Sequence, residues 1–179
     1  MSGFDYSRTG AYFVTICSLN RKCVFGEIVA GHMGRNSTGE VAASCWYEIP
    51  NHFENVVLDA FVVMPNHIHG VLLLTDTVAA GHARPLPTMI GGFKSAVSRR
   101  VGSSLWQRSY WERVIRNQNE LNFIRHYIDE NPLCWPFDDE NPQSTVAAGH
   151  ARPRTGVSRE TPFHRRFDSS RMPAAGTAG

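Results

Sequence analysis

Residues 56–75 read Val-Val-Leu-Asp-Ala-Phe-Val-Val-Met-Pro-Asn-His-Ile-His-Gly-Val-Leu-Leu-Leu-Thr, two apolar runs (56–64 and 67–75) separated only by Pro65-Asn66. Proline presets the first central position of a tight turn and asparagine tolerates the second, so the stretch predicts two strands joined by a turn. Side chains alternate faces along a strand. His67 and His69 therefore point the same way, where both imidazoles can converge on one ion or phosphate, and Ile68 points to the other face. By spacing alone a His-x-His pair is equally a pair of polar residues at a strand start.

Working outward, residues 11–19 are short and rich in aromatic and β-branched types, which predicts a first strand. Ser37-Thr38-Gly39-Glu40 has the form of a capping box, followed at helical spacing by Ala42, Trp46, Ile49 and Phe53, with Pro50 expected to end or kink that helix. After a loop over 76–88, Met89, Ile90, Phe93, Val97 and Val101 mark a second amphipathic helix. A short strand is expected within Trp106–Ile115, and Asn117 with Glu120 opens a last helix that Pro132 is expected to close. The order β-α-β-β-α-β with an appended helix predicts an α+β sandwich of the ferredoxin-like kind with an antiparallel sheet. From residue 138 onward periodicity gives way to Gly, Pro, Ser and Arg, so the chain divides into a domain over 1–137 and a flexible basic tail over 138–179.

The 179 residues and 42% hydrophobic content suit one compact domain. The formal net charge is only +2, yet residues 143–179 hold six arginines against Glu160 and Asp168. A second basic stretch, 94–125, carries Lys94, Arg99, Arg100, Arg108, Arg113, Arg116 and Arg125 against Glu112 and Glu120. Lys94, Arg99, Arg100, Arg108, Arg113 and Arg116 are candidate phosphate contacts, and Trp106, Tyr110 and Trp111 candidate platforms for base stacking, with core packing and a solvated arginine face as the ordinary alternatives. Cys17, Cys23, Cys45 and Cys134 show no paired spacing, which argues against a zinc ribbon or a disulfide framework and for a reducing cytoplasm. No leader-like start and no long apolar run point to secretion or to a membrane. Thr77–Pro85 and Thr145–Pro153 are the same nine residues, echoed by Ala30-Gly31-His32. Their flanks differ, so they read as a tolerated duplication, and His32, His82 and His150 are set aside as ligands.

A third ligand beside the histidine pair is sought on the last helix, where Tyr127 and Asn131 lie one turn apart. Taken singly, Tyr127 beside Ile124 and Ile128 reads as a core tyrosine. Four segments in order change that reading: Tyr12-Phe13-Val14-Thr15, Val62 to His69, Trp106-Gln107-Arg108-Ser109-Tyr110, and Tyr127 to Pro132. Together they resemble the single-tyrosine HUH transposases, and most closely the REP-associated tyrosine transposases, over residues 8–137. The resemblance implies a ferredoxin-like fold, a divalent metal (Mg²⁺ or Mn²⁺) on His67, His69 and Asn131, and Tyr127 as nucleophile. It implies cleavage of single-stranded or hairpin DNA through a 5′-phosphotyrosine, by a monomer or homodimer. A non-catalytic nucleic-acid-binding protein on the same fold is the competing reading, and a metal hydrolase lacks a carboxylate beside the histidines to act as base.

Overall fold

The computed structural model describes residues 9–75, 84–138 and 140–142. Contacts divide the chain between Trp135 and Pro136 into two units. In the first, strand β1 (Gly10–Cys17) is followed by a two-stranded hairpin, β2 (Gly26–Val29) and β3 (His32–Arg35), and by helices α1 (Ser37–Tyr47) and α2 (Ile49–His52). Strands β4 (Val56–Val63) and β5 (His67–Leu74), helix α3 (Leu86–Val101), strand β6 (Trp111–Ile115) and helix α4 (Gln118–Cys134) complete it. The main sheet is antiparallel with strand order β4-β5-β1-β6, the interleaved arrangement of the ferredoxin-like fold. In the second unit the Asp138 side chain accepts from Glu140 N at 2.8 Å, and its carbonyl accepts from Asn141 N at 3.0 Å. The basic tail beyond residue 142 and both nine-residue copies, save Arg84 and Pro85, lie outside the described residues.

The two sheet faces are covered separately. Tyr12, Val14, Ile16, Ile68, Leu72 and Leu74 pack with Trp46 of α1 and Met89, Ile90, Phe93 and Val97 of α3 into the main core. The alternate residues, Phe13, Thr15, His67, His69 and Val71, turn to the other face, where α4 lies and buries Ile124 and Ile128. On the core face the Trp46 indole lies directly over Gly70, stacked on Phe61 at 4.8 Å and edge-on to Phe93 at 5.5 Å. Any side chain at 70 would enter that ring.

Several local expectations meet a correction. The hairpin β2–β3 has no counterpart in the sequence reading; its turn is Ala30-Gly31, both at positive φ (50° and 78°), so the Ala-Gly-His echo falls at a hairpin turn. Asn36, not Ser37, caps α1, its side chain accepting from Gly39 N at 3.0 Å. Helix α1 ends at Tyr47, and Pro50 sits in the first turn of α2, where its missing N–H costs nothing. Pro132 does not close α4 but lies inside it, so Asn131 is helical.

The pairing of β4 with β5 slips by one residue between Leu58 and Phe61. This bulge keeps both of those side chains on the core face and turns Asp59 toward α4, where its carboxylate takes both Arg125 Nε (2.8 Å) and Nη2 (2.6 Å). At the other end of α4, Asn117 caps Glu120 N at 2.9 Å, and the buried Glu120 carboxylate holds Arg113 Nε at 2.7 Å and Arg116 N at 2.9 Å.

Gly70→Ala places a methyl group inside the Trp46 ring, and overpacking of this kind costs about 1–3 kcal/mol. Urea unfolding of the variant is expected to show a midpoint lowered accordingly, and an unchanged midpoint would contradict the packing of Trp46 on β5.

Candidate active site

The face of the sheet under α4 brings together what the sequence placed far apart. His67 Nε2 and His69 Nε2 are 3.0 Å from each other, with ring centroids 4.5 Å apart. The Tyr127 hydroxyl reaches down from α4 to within 3.4 Å of His69 Nε2. Phe13 fixes the neighbouring rings by stacking on His69 at 5.3 Å and meeting Tyr127 edge-on at 6.1 Å. Behind the histidines, Thr15 Oγ1 lies 2.9 Å from His69 Nδ1 and Asn66 Oδ1 lies 2.8 Å from His67 Nδ1. Phe13, Thr15 and Asn66 were not singled out as site residues in the sequence. The alternation along β1 carried the signal for the first two, whereas Asn66 reads there only as a turn residue.

Both histidines are almost completely buried. Burial pushes His67 down to about 3, helped by the positive charge of Arg21, and burial followed by the nearby His67 holds His69 well below the usual histidine range. Neutral imidazole is the form that ligates a metal. Asn131, one turn beyond Tyr127, is 3% exposed, and its Oδ1 has no hydrogen-bond partner. A buried carbonyl oxygen left without a partner is costly and suits an oxygen-preferring cation. No group of three His, Cys, Asp or Glu side chains that could hold a metal exists among the described residues.

The remaining predicted contacts are scattered. Trp106 is a core residue, not a stacking platform: it packs on Phe25 and Phe93, and its Nε1 donates to Lys94 O at 3.1 Å. Lys94 is half-buried, its ammonium donating to the carbonyls of Gln107 (2.7 Å), Arg108 (3.2 Å) and Ser109 (3.3 Å), so it organises that loop from within. Arg100 forms a two-pronged pair with Glu48 on the helical side, and Arg113 is held by Glu120. Tyr110 is half-buried against the main core. Arg99, Arg108 and Arg116 are exposed, but Arg99 lies on α3, across the sheet from the histidines. The basic stretch is therefore not one continuous face. Trp111, by contrast, meets Phe13 edge-on at 5.7 Å and so borders the site.

Because the folded protein binds fewer protons at His67 and His69 than the unfolded chain, stability is full above about pH 6.5 and falls as pH drops toward the folded value, about 3 for His67. For His67 alone the loss between pH 7 and pH 5 is expected to be about 2 kcal/mol. Urea titrations across that range should show it, and His67→Gln should flatten the slope; a wild-type profile already flat would mean the rings are not buried neutral.

No protein-family model matches the chain. An uncharacterised protein of Haemophilus influenzae is 33% identical over 156 residues, covering 75% of this chain and 87% of that protein. A second protein of that organism, provisionally named a REP-associated tyrosine transposase, is 25% identical over 142 residues, covering 72% and 73% of the two chains. A solved structure described as a REP-associated tyrosine transposase bound to a REP hairpin superposes with a TM-score of 0.58 at 19% identity, covering 89% of this chain and 96% of that one, a likeness of fold. With His67, His69 and Tyr127 brought together on one face of the same fold, the chain is similar to the REP-associated tyrosine transposases in sequence and in architecture.

Proposed function

We propose that this protein is a transposase-type enzyme that cleaves single-stranded or hairpin DNA through Tyr127 and rejoins it, with a divalent metal held by His67, His69 and Asn131. The observation that carries this reading is the 3.4 Å approach of the Tyr127 hydroxyl to a buried pair of facing imidazoles. The hairpin-bound relative supports the choice of substrate.

The chain's own residues account for most of the requirements. A tyrosine suits an enzyme that must restore the strand, because the phosphotyrosine ester conserves the bond energy that hydrolysis discards. Tyr127 Oη attacks the phosphorus, a 5′-phosphotyrosine forms, and the 3′-hydroxyl leaves; rejoining is the reverse attack by a 3′-hydroxyl. A phenol with a reference pKa near 10 needs activation, which a metal held on the histidines would supply, since the hydroxyl lies 3.4 Å from His69 Nε2. Phe13 and the two anchors of α4, Asp59–Arg125 and Glu120–Arg113, hold the phenol over the histidines. The metal, when bound, polarises a non-bridging phosphate oxygen and aligns the scissile bond. Two imidazoles and one amide would make a sparse set for Mg²⁺, which prefers oxygen, so phosphate and water would have to complete the site and Mn²⁺ would serve at least as well. Arg21 adds positive charge next to His67, where an incoming phosphate would lie.

Tyr127→Phe removes only the attacking oxygen and keeps the ring against Phe13. It is expected to abolish cleavage of a hairpin oligonucleotide while leaving binding within a few-fold, with the wild-type adduct mapping to the Tyr127 peptide. An adduct at Tyr47 or Tyr110, or a wild type that binds the hairpin with neither cleavage nor adduct, would sink the assignment; the second outcome leaves a binding protein on this fold.

His67→Ala and His69→Ala should each remove cleavage, as should chelation of the wild type, and Asn131→Ala should hurt less. Cleavage that survives thorough chelation would eliminate the metal role.

Arg152, Arg154, Arg159, Arg165, Arg166 and Arg171 offer phosphate contacts beyond the core site. Each neutralised phosphate adds about −0.7 to the slope of log affinity against log salt for single strands. Truncation after residue 142 is expected to flatten that slope by roughly 2–3, equally for cognate and scrambled hairpins. An unchanged slope would show that the tail makes no phosphate contacts.

A further inference from the structure

The hydrogen bonds behind the two imidazoles fix where their protons lie. Asn66 Nδ2 donates to Arg21 O at 3.1 Å, so the amide presents its oxygen to His67 Nδ1 at 2.8 Å. An amide oxygen only accepts, so His67 carries its proton on Nδ1 and turns a bare Nε2 toward His69. Two bare nitrogens 3.0 Å apart would repel each other. Burial keeps both rings neutral, so the one proton on that line sits on His69 Nε2, and His69 Nδ1 is bare. Thr15, itself buried, must then donate its hydroxyl to Nδ1 at 2.9 Å.

This arrangement cannot survive the binding of a cation between the rings. His69 Nε2 must give up its proton to expose a lone pair, and a neutral ring that loses one there regains one at Nδ1. His67 needs no such change, because its partner already fixes the ligating tautomer. We propose that Thr15 is a positioning residue whose hydroxyl reverses from donor to acceptor when His69 changes tautomer on metal binding, so that the site is satisfied both empty and loaded. The proposal rests on the metal reading above. The ring's proton count is unchanged: one proton leaves Nε2, another is taken up at Nδ1 by exchange with water, and the Thr15 O–H rotates. Among side chains near Nδ1 only a hydroxyl can fill both roles, since a carbonyl or carboxylate accepts alone and would lock the ring in one form. The usual outer partner of a ligating histidine is a fixed acceptor of that kind. A fixed acceptor would leave two facing lone pairs in the metal-free protein; Thr15 removes that repulsion without removing the site.

The test reads the histidines themselves. Nitrogen chemical shifts of ¹⁵N-labelled full-length protein, recorded metal-free and with added Zn²⁺ as a diamagnetic probe that favours imidazole, report each ring's tautomer. We expect His67 in the Nδ1–H form throughout and His69 to pass from Nε2–H to Nδ1–H as Zn²⁺ binds. Thr15→Val, measured by calorimetric Zn²⁺ titration, should weaken binding about 10–100-fold, because the loaded ring can no longer find an acceptor for Nδ1–H. Thr15→Ser, which keeps the hydroxyl, should restore affinity to within a few-fold. A His69 already in the Nδ1–H form without metal, or one that binds Zn²⁺ without changing form, would overturn the switch and leave the metal site standing. If neither His67 nor His69 responds to Zn²⁺, the metal reading falls together with the switch. A Thr15→Ser protein as weak as Thr15→Val would reduce Thr15 to a packing residue.

Discussion

Strand β5 sits inside the sheet with both faces covered, and the alternation of its side chains governs everything built on it. Ile68, Gly70 and Leu72 must face the helical core while His67, His69 and Val71 face α4. Slipping the register by one residue would send the imidazoles into the apolar layer and Ile68 to the site. Two features forbid that slip. Gly70 alone leaves room for the Trp46 ring, and the pairing of Thr15 with His69 and Cys17 with His67 across β1 fixes which polar groups stand beside which. The main core thus holds the histidines from the opposite side of the sheet.

The second requirement is a tyrosine held over those histidines, and it falls to α4, whose only large buried apolar side chains are Ile124 and Ile128. Such a narrow apolar stripe fixes a helix loosely in azimuth and translation. Polar contacts supply the rest: Asn117 caps the first turn, Glu120 ties it to Arg113 and Arg116, and Arg125 grips Asp59. Asp59 reaches Arg125 because a bulge in β4 re-aims it, so an irregularity in an edge strand sets the seat of the tyrosine-bearing helix. These pairs are partly exposed and each contributes modestly to stability. Their value lies in direction, since a forked guanidinium on a carboxylate tolerates few geometries.

Charge follows the same logic. The seven cations between Lys94 and Arg125 look in sequence like one nucleic-acid surface, yet four of them are committed to internal partners: Lys94 to three carbonyls, Arg100 to Glu48, Arg113 to Glu120 and Arg125 to Asp59. Positive charge close to the histidines comes instead from Arg21, in the turn after β1.

The sequence by itself determined the strand pair over 56–75 and its turn, the amphipathic stripe of α3, the Asn117 cap, and the pairing of His67 with His69. Each is a local pattern whose periodicity or backbone preference is written within a short stretch of chain. The ordered motifs added Tyr127 and Asn131 by resemblance. Tertiary structure alone decided that Trp106 fills the core, because its spacing is the same whether its ring meets a base or Phe93. It alone decided which arginines are spoken for, because ion-pair partners such as Asp59 and Arg125 stand far apart in the chain. It alone turned Thr15 and Asn66 from strand and turn residues into partners of the two histidines: the Thr15 bond crosses neighbouring strands, and the Asn66 amide, though next to His67 in the chain, is oriented by its bond to Arg21 O.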